Sequence, residues 1–210
     1  MKTVLSLLLA CGAGVALLAQ DPKPAELKFS WADQSEPTAA ELAKSGERLI
    51  DRIGGSLMVE TERVIGTDGL EAAVQILHLK SLNPPRAAEG KPRVTEIKRT
   101  SFRVRNPRNA PDAADLAALE MVRGLLNSGE QPPKVLVQKV ERDGAPAEWR
   151  VYRAISVSPN CLLCHGPVES LQPGVRNALE RYYPEDKATE YNAYDWRGLI
   201  RVSYELPEKK

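Results

Sequence analysis

The sequence predicts an α+β fold built on an antiparallel sheet. Three observations carry this. Helical periodicities open the chain, strand-like alternations dominate its second half, and a single further helix crosses between strands. The 210 residues, 42% hydrophobic and 27% charged, suit one globular domain with a core of its own. The 29 basic residues nearly balance the 28 acidic ones. That balance gives no electrostatic reason to expect nucleic acid or an anionic membrane surface as partner.

Residues 1–19 combine Lys2, an apolar run over residues 4–19 and small side chains at Ala16 and Ala19. They read as a secretory signal peptide cleaved after Ala19. An uncleaved anchor is the alternative, but the run is short of the ~20 residues that a span needs. Leu8–Cys11 resembles a bacterial lipobox, which would leave the chain lipid-anchored through Cys11. Each route places the folded part outside the cytoplasm, and periplasm is the expected location. No membrane span is expected after signal removal.

Residues 20–37, polar and proline-bearing, read as an extended leader, and residues 38–210 as a single domain. Thr38 and Glu41 have capping-box spacing, and Leu42, Leu49, Ile53 and Leu57 recur at helical intervals behind them. Gly54-Gly55 is the expected point of weakness in that helix. A second helix follows Asp68 and Glu71, with Leu70, Ala73, Val74 and Leu77 on its inner face. Strand alternation is expected over residues 95–105, with Thr100, Phe102 and Val104 on one side and Arg99, Arg103 and Arg105 on the other. A third helix covers residues 112–127. Strands follow over residues 134–141, 149–157 and 199–206, with a short helix around Val175, Leu179 and Tyr182 and a loop over residues 184–197.

The chemistry concentrates in "SPNCLLCHGP", residues 158–167. Without Cys11 the chain has only Cys161 and Cys164, followed at once by His165. C-x-x-C-H is the signature of covalent haem c attachment. Two thioethers tether one edge of the porphyrin, and the next side chain then lies under the iron, where an imidazole nitrogen is a good ligand. A disulfide, or a redox-active C-x-x-C pair, is the competing reading in an oxidising compartment. Pro159, Gly166 and Pro167 favour a looped helix over the strand-motif-helix of such catalysts. Structural zinc lacks a second cysteine pair. Arginine guanidiniums suit the two haem propionates, so Arg99, Arg103 and Arg105 are cofactor-binding candidates; solvated surface arginines are the plain alternative. Asn106, Asn109 and Asp112 suit turn and helix-start amides. Tyr183, Tyr191, Tyr194 and Trp196 could wall a flat apolar ligand or fill an ordinary core.

Four stretches in order, AAVQILHLK, TSFRVRNPRNAPD, CLLCHG and YYPEDKATEYNAYDWRG, resemble a known family, the bacterial periplasmic Tll-type single-haem c proteins. Thr100, Ser101, Arg105, Asn106, Pro107, Asn109, Pro111 and Asp112 match its first block. Tyr183, Pro184, Asp186, Ala188, Thr189, Tyr191, Asp195 and Gly198 match its last. The resemblance implies a PAS-like antiparallel sheet, N-terminal helices packed against it, and one covalent haem c. Two departures stand out. Tyr194 occupies a place where glycine is common, and Leu77 one where the family often carries a cysteine as sixth iron ligand. His78, next to Leu77, becomes the candidate for that position, making His165 and His78 the expected metal ligands.

Several roles fit a single-haem exported domain. The expected one is electron transfer, cytochrome-like, with a redox partner protein. The alternative is a redox or small-gas sensor whose output passes through a signalling partner. An enzyme is the weakest, because no acid–base pair is recognisable for peroxidase chemistry.

Overall fold

The structure, a computed structural model, describes residues 27–79 and 82–207. The expected signal peptide and Cys11 lie outside the described residues. Five strands, β1 Lys28–Trp31, β2 Arg93–Thr100, β3 Leu136–Glu141, β4 Glu148–Ser156 and β5 Trp196–Glu205, form one antiparallel sheet in the order β1-β3-β4-β5-β2. Four α-helices accompany it: α1 Pro37–Leu79, α2 Ala113–Asn127, α3 Leu162–His165 and α4 Pro173–Tyr182. The α+β class and the antiparallel sheet stand as the sequence predicts. Residues 28–31, within the expected leader, instead add an edge strand along β3.

Alternation along the strands sorts their side chains to two faces. Val151 and Val202 face α1, whose Ala39, Leu42, Ala43 and Ile50 complete that cluster. Gly46 is the point of closest approach: a Cβ there would stand 2.6 Å from Val151 Cγ1. Tyr152, one residue on from Val151, and Leu199, three before Val202, face α2 through Ala118, Leu119 and Val122. The sheet is therefore covered on both sides.

The helix expected to weaken at Gly54-Gly55 passes through both glycines and breaks at Gly69, where φ is 83° and ψ 169°. Both early glycines have open space around them, so nothing forces a bend there. Gly69 divides α1 into segments 37–68 and 70–79. The first lies on the sheet at its start. The second packs through Leu70 and Val74 on Val175, Ala178 and Leu179 of α4.

The α2 face holds a charge network. Lys98, Arg201 and Tyr152 stand side by side on β2, β5 and β4. All three converge on Asp115 of α2, which is wholly buried. Arg150 bonds Asp112 at 2.7 Å, Asp115 at 3.3 Å and Glu148 at 2.8 Å. Asp112 also caps α2, accepting the Asp115 amide at 2.9 Å in a capping box. Burial pushes the pKa of Asp112 up, but hydrogen bonds from Arg150 and the Asp115 amide, with the charges of Arg150 and Arg201, hold it well below the carboxylate range. Glu148 is depressed in the same way, burial being outweighed by Arg150, Ser203 and Arg201.

Strand β2 stops at Thr100 and does not run on to residue 105. Ser101 causes this: its Oγ accepts the Arg103 amide at 3.0 Å and donates to Arg197 O at 2.7 Å. A side chain that bonds its own backbone two residues on competes with the ladder and turns the chain. Arg103 and Arg105 therefore do not share a strand face with Arg99.

Two predictions follow from the network. Asp115→Ala leaves Lys98 and Arg201 as poorly compensated buried cations, and a loss of about 3–5 kcal/mol in urea unfolding is expected; a loss below about 1 kcal/mol would show the network to be marginal. Asp112 and Glu148 titrate lower in the fold than in the open chain. Their contribution is complete above about pH 5 and is lost as pH falls through their depressed folded values. The urea midpoint should be level from about pH 6 to 8 and fall by about pH 3.

Candidate functional site

Beyond β4 the chain makes a 3-10 turn over Pro159–Cys161 and passes directly into α3, which ends on His165. Gly166 closes this helix by donating to Leu162 O at 2.9 Å; a Cβ there would meet that oxygen at 2.7 Å. The two blocks on either side of the motif in sequence meet around it in space. The Tyr191 amide donates to His165 O, and that of Glu190 to Gly166 O, both at 3.0 Å. Arg105 donates to Asp186 at 2.9 Å, to Cys164 O at 2.5 Å and to Ala188 O at 3.3 Å. One guanidinium thus ties the segment after β2, the motif and the loop before β5 together.

His165 has a determined tautomer. Its Nδ1 lies 2.6 Å from Ala188 O, and a carbonyl only accepts, so Nδ1 carries the proton. Nε2 keeps its lone pair. Burial, then the charges of Arg105, Arg197 and Arg99, lowers the His165 pKa well below its ordinary value, opposed by the bond to Ala188. The ring is therefore a neutral donor, the state a metal-binding imidazole requires.

A cavity of about 360 Å³ opens before this ring. Leu77 from the last turn of α1, Ile97 and Arg99 from β2, and Ile155 from β4 line it, with Val157, Cys161, His165, Arg105, Tyr183 and Arg197. Cys161 Sγ is 3.1 Å from Ser158 Oγ. Cys164 is not in the wall: it packs behind the motif on the Val74–Leu171 cluster, and burial, against the charge of Arg105, raises its thiol pKa. Both cysteines are free thiols.

Three of the expected site residues sit apart from their expected places or company. Arg99 lines the cavity and has no hydrogen-bond or ion-pair partner among the described residues. Its side chain is exposed, yet the protein atoms around the cavity, with Arg105 nearby, lower its pKa against the pull of Tyr183. Arg103 is not in the wall. It donates to Lys187 O at 3.1 Å, also bonds Thr189 O, and lies 4.0 Å over the Tyr191 ring. His78 is not in the wall either. Leu77 is, and one residue along a helix turns a side chain by about 100°. The His78 ring packs against Tyr183 at 4.7 Å and Tyr182 at 5.7 Å, with its Nδ1 buried and unpartnered.

Arg197 is a wall residue that the sequence reading missed. It donates to Arg103 O at 3.0 Å, and burial lowers its pKa. Its signal was its place beside Gly198, whose φ of 144° lets β5 pass close under Thr100. Of the four aromatics, only Tyr183 lines the cavity. Trp196 packs on Phe102 at 6.1 Å toward α2, and Tyr194 is 77% exposed with φ at 72°. That left-handed backbone explains why a glycine suits the Tyr194 position.

A neutral imidazole and a thiol thus lie in the wall of a cationic cavity, on a sheet covered by helices. Residues 71–204 match the Tll0287-like family, and the chain belongs to it. Among solved structures, the cyanobacterial heme-protein Tll0287 matches at 22% identity with a TM-score of 0.41, over 55% of this chain and 63% of that one. The chain thus spans less than two thirds of that protein's length. No curated protein matches.

Arg105→Leu should cost about 3–5 kcal/mol, because it leaves Asp186 unpaired and frees two carbonyls at once. Limited proteolysis should then cut within residues 183–195 faster than in the parent. Unchanged cleavage would show that the loop is held without Arg105.

Proposed function

We propose that this protein is an exported single-haem c-type protein that transfers electrons to or from a partner protein. One observation carries the reading: His165, with its Nδ1 held by Ala188 O and Nε2 left as the free nitrogen, lines a cavity together with Cys161 and the Arg99 and Arg197 guanidiniums, neither of which has a carboxylate partner among the described residues. The residues fit the group. Cys161 and Cys164 would form the thioethers, and His165 would be the proximal ligand. Leu77, Ile97, Ile155 and Val157 supply apolar surface for the ring. Arg99, with Arg105 and Arg197 behind it, supplies charge for two propionates. The second thioether requires the Cys164 side chain to leave the cluster of Val74 and Leu171. Bound there, haem would supply one-electron redox chemistry, while the Ala188 carbonyl holds the imidazole's orientation. Arg103 takes no part in this reading beyond packing the loop.

The family's namesake bears the description heme-protein, which supports the cofactor. Residues 1–19 support export to the periplasm, where a partner would exchange the electron. No catalytic step belongs to this role.

Expression with a c-type maturation system tests it. Haem should resist acid–acetone extraction, give a pyridine haemochrome of one haem per chain, and titrate reversibly with one electron. Cys161→Ser should lower the covalent yield severalfold. Extractable haem, or none, defeats the reading.

A further inference from the structure

This inference rests on the haem reading and concerns the iron's second axial face. With His165 committed, a second protein ligand must come from the same cavity wall. Among the described residues that wall holds no other histidine and no methionine. Cys161 is committed to attachment. Lys98 has its ammonium 3.0 Å from Asp115, on the opposite face of the sheet. Met58 is exposed on α1, and Met121 lies on α2 across the sheet. Where α1 meets the cavity it presents Leu77, a side chain with no lone pair. His78 is turned toward Tyr182 and Tyr183, and α4 stands against that segment through Val74 and Val175. Bringing its ring round would mean rotating a packed segment by about 100°.

We propose that the iron's sixth position is left open by the protein, and that the apolar wall of Leu77, Ile97, Ile155 and Val157 admits a neutral diatomic gas of the carbon monoxide or nitric oxide class. Such ligands need a vacant position on a ferrous iron and little from the wall besides room and low polarity. Binding adds a ligand and transfers no electron. It converts the iron from five- to six-coordinate, and so joins ligand detection to the redox role. Leu77 is the residue that keeps the position free. Tyr183 is the one remaining wall side chain with an oxygen of the kind that ligates haem, and it has its own arm in the test.

The experiment uses the purified holoprotein, with covalent haem measured first. Wild type should be high-spin when reduced, and carbon monoxide should shift its Soret band at one equivalent per haem. His78→Ala and Tyr183→Phe should leave that spectrum unchanged. Leu77→Met should produce a low-spin spectrum and weaken carbon monoxide binding by at least about tenfold. If Leu77→Met does not accumulate, wild type and the other two variants decide. A low-spin wild type overturns the inference; conversion to high spin by His78→Ala or Tyr183→Phe would identify the ligand. Refusal of carbon monoxide by the reduced wild type overturns it too. Those results leave the haem reading standing, whereas absence of covalent haem removes both.

Discussion

The carboxylate of Asp115 is the constraint on which the rest of the structure depends. It is fully buried on α2 and receives Lys98 from β2, Arg201 from β5 and Tyr152 from β4. Three strands and a helix are thereby held in one register. Its net contribution to stability is small, because desolvating the ions offsets most of their attraction. Its effect is on specificity. A one-residue slip of β2 against β5 would carry Lys98 to the other face and leave Asp115 short of a cation. The network is not fully satisfied: Arg201 Nε is buried without a partner among the described residues. That places it among features kept for geometry more than for energy.

The same strands serve the cavity from their other side. Lys98 and Arg99 are consecutive on β2, and alternation sends one to Asp115 and the other into the cavity. The charge that anchors the sheet and the charge that lines the site are thus neighbours in the backbone. Arg105 performs a second anchoring beyond the strand, where the ladder has ended and three separate segments need a common partner. Its guanidinium suits this because its donors diverge in a plane and reach several oxygens at once.

Much of this was legible in the sequence, and the failures have physical causes. Period-two runs located β3, β4 and β5 because each buries apolar residues on at least one face, as Val151 and Val202 do. The C-x-x-C-H spacing and the flanking blocks located the site. The end of β2 was misjudged because the alternation of residues 100–105 continues in letters, while the Ser101 hydroxyl takes over the ladder's bonds. Arg150 and Arg201 are 1% exposed, yet charged residues at alternate strand positions read as a solvated face. Their partners lie on a helix tens of residues away, which no local pattern records. The weakness expected at Gly54-Gly55 is absent, and the chain turns at Gly69, beside the Asp68 expected to open a second helix, where packing passes from the sheet to α4. Periodicity put Leu77 on the inner face and His78 at its border, and His78 was expected at the iron only because the resemblance places a ligand on this segment.

Strand β5 sits between β4 and β2, although β2 precedes it by about a hundred residues. The sheet has no way to assemble in chain order: β2 lacks its only neighbour until the last of the five strands has emerged. Parting β4 from β2 until then leaves Asp115 without its full complement of cations and residues 183–195 without a surface to wrap. The strand that emerges last of the five is therefore the one that joins the two halves of the sheet and, through Arg197, completes the cavity wall.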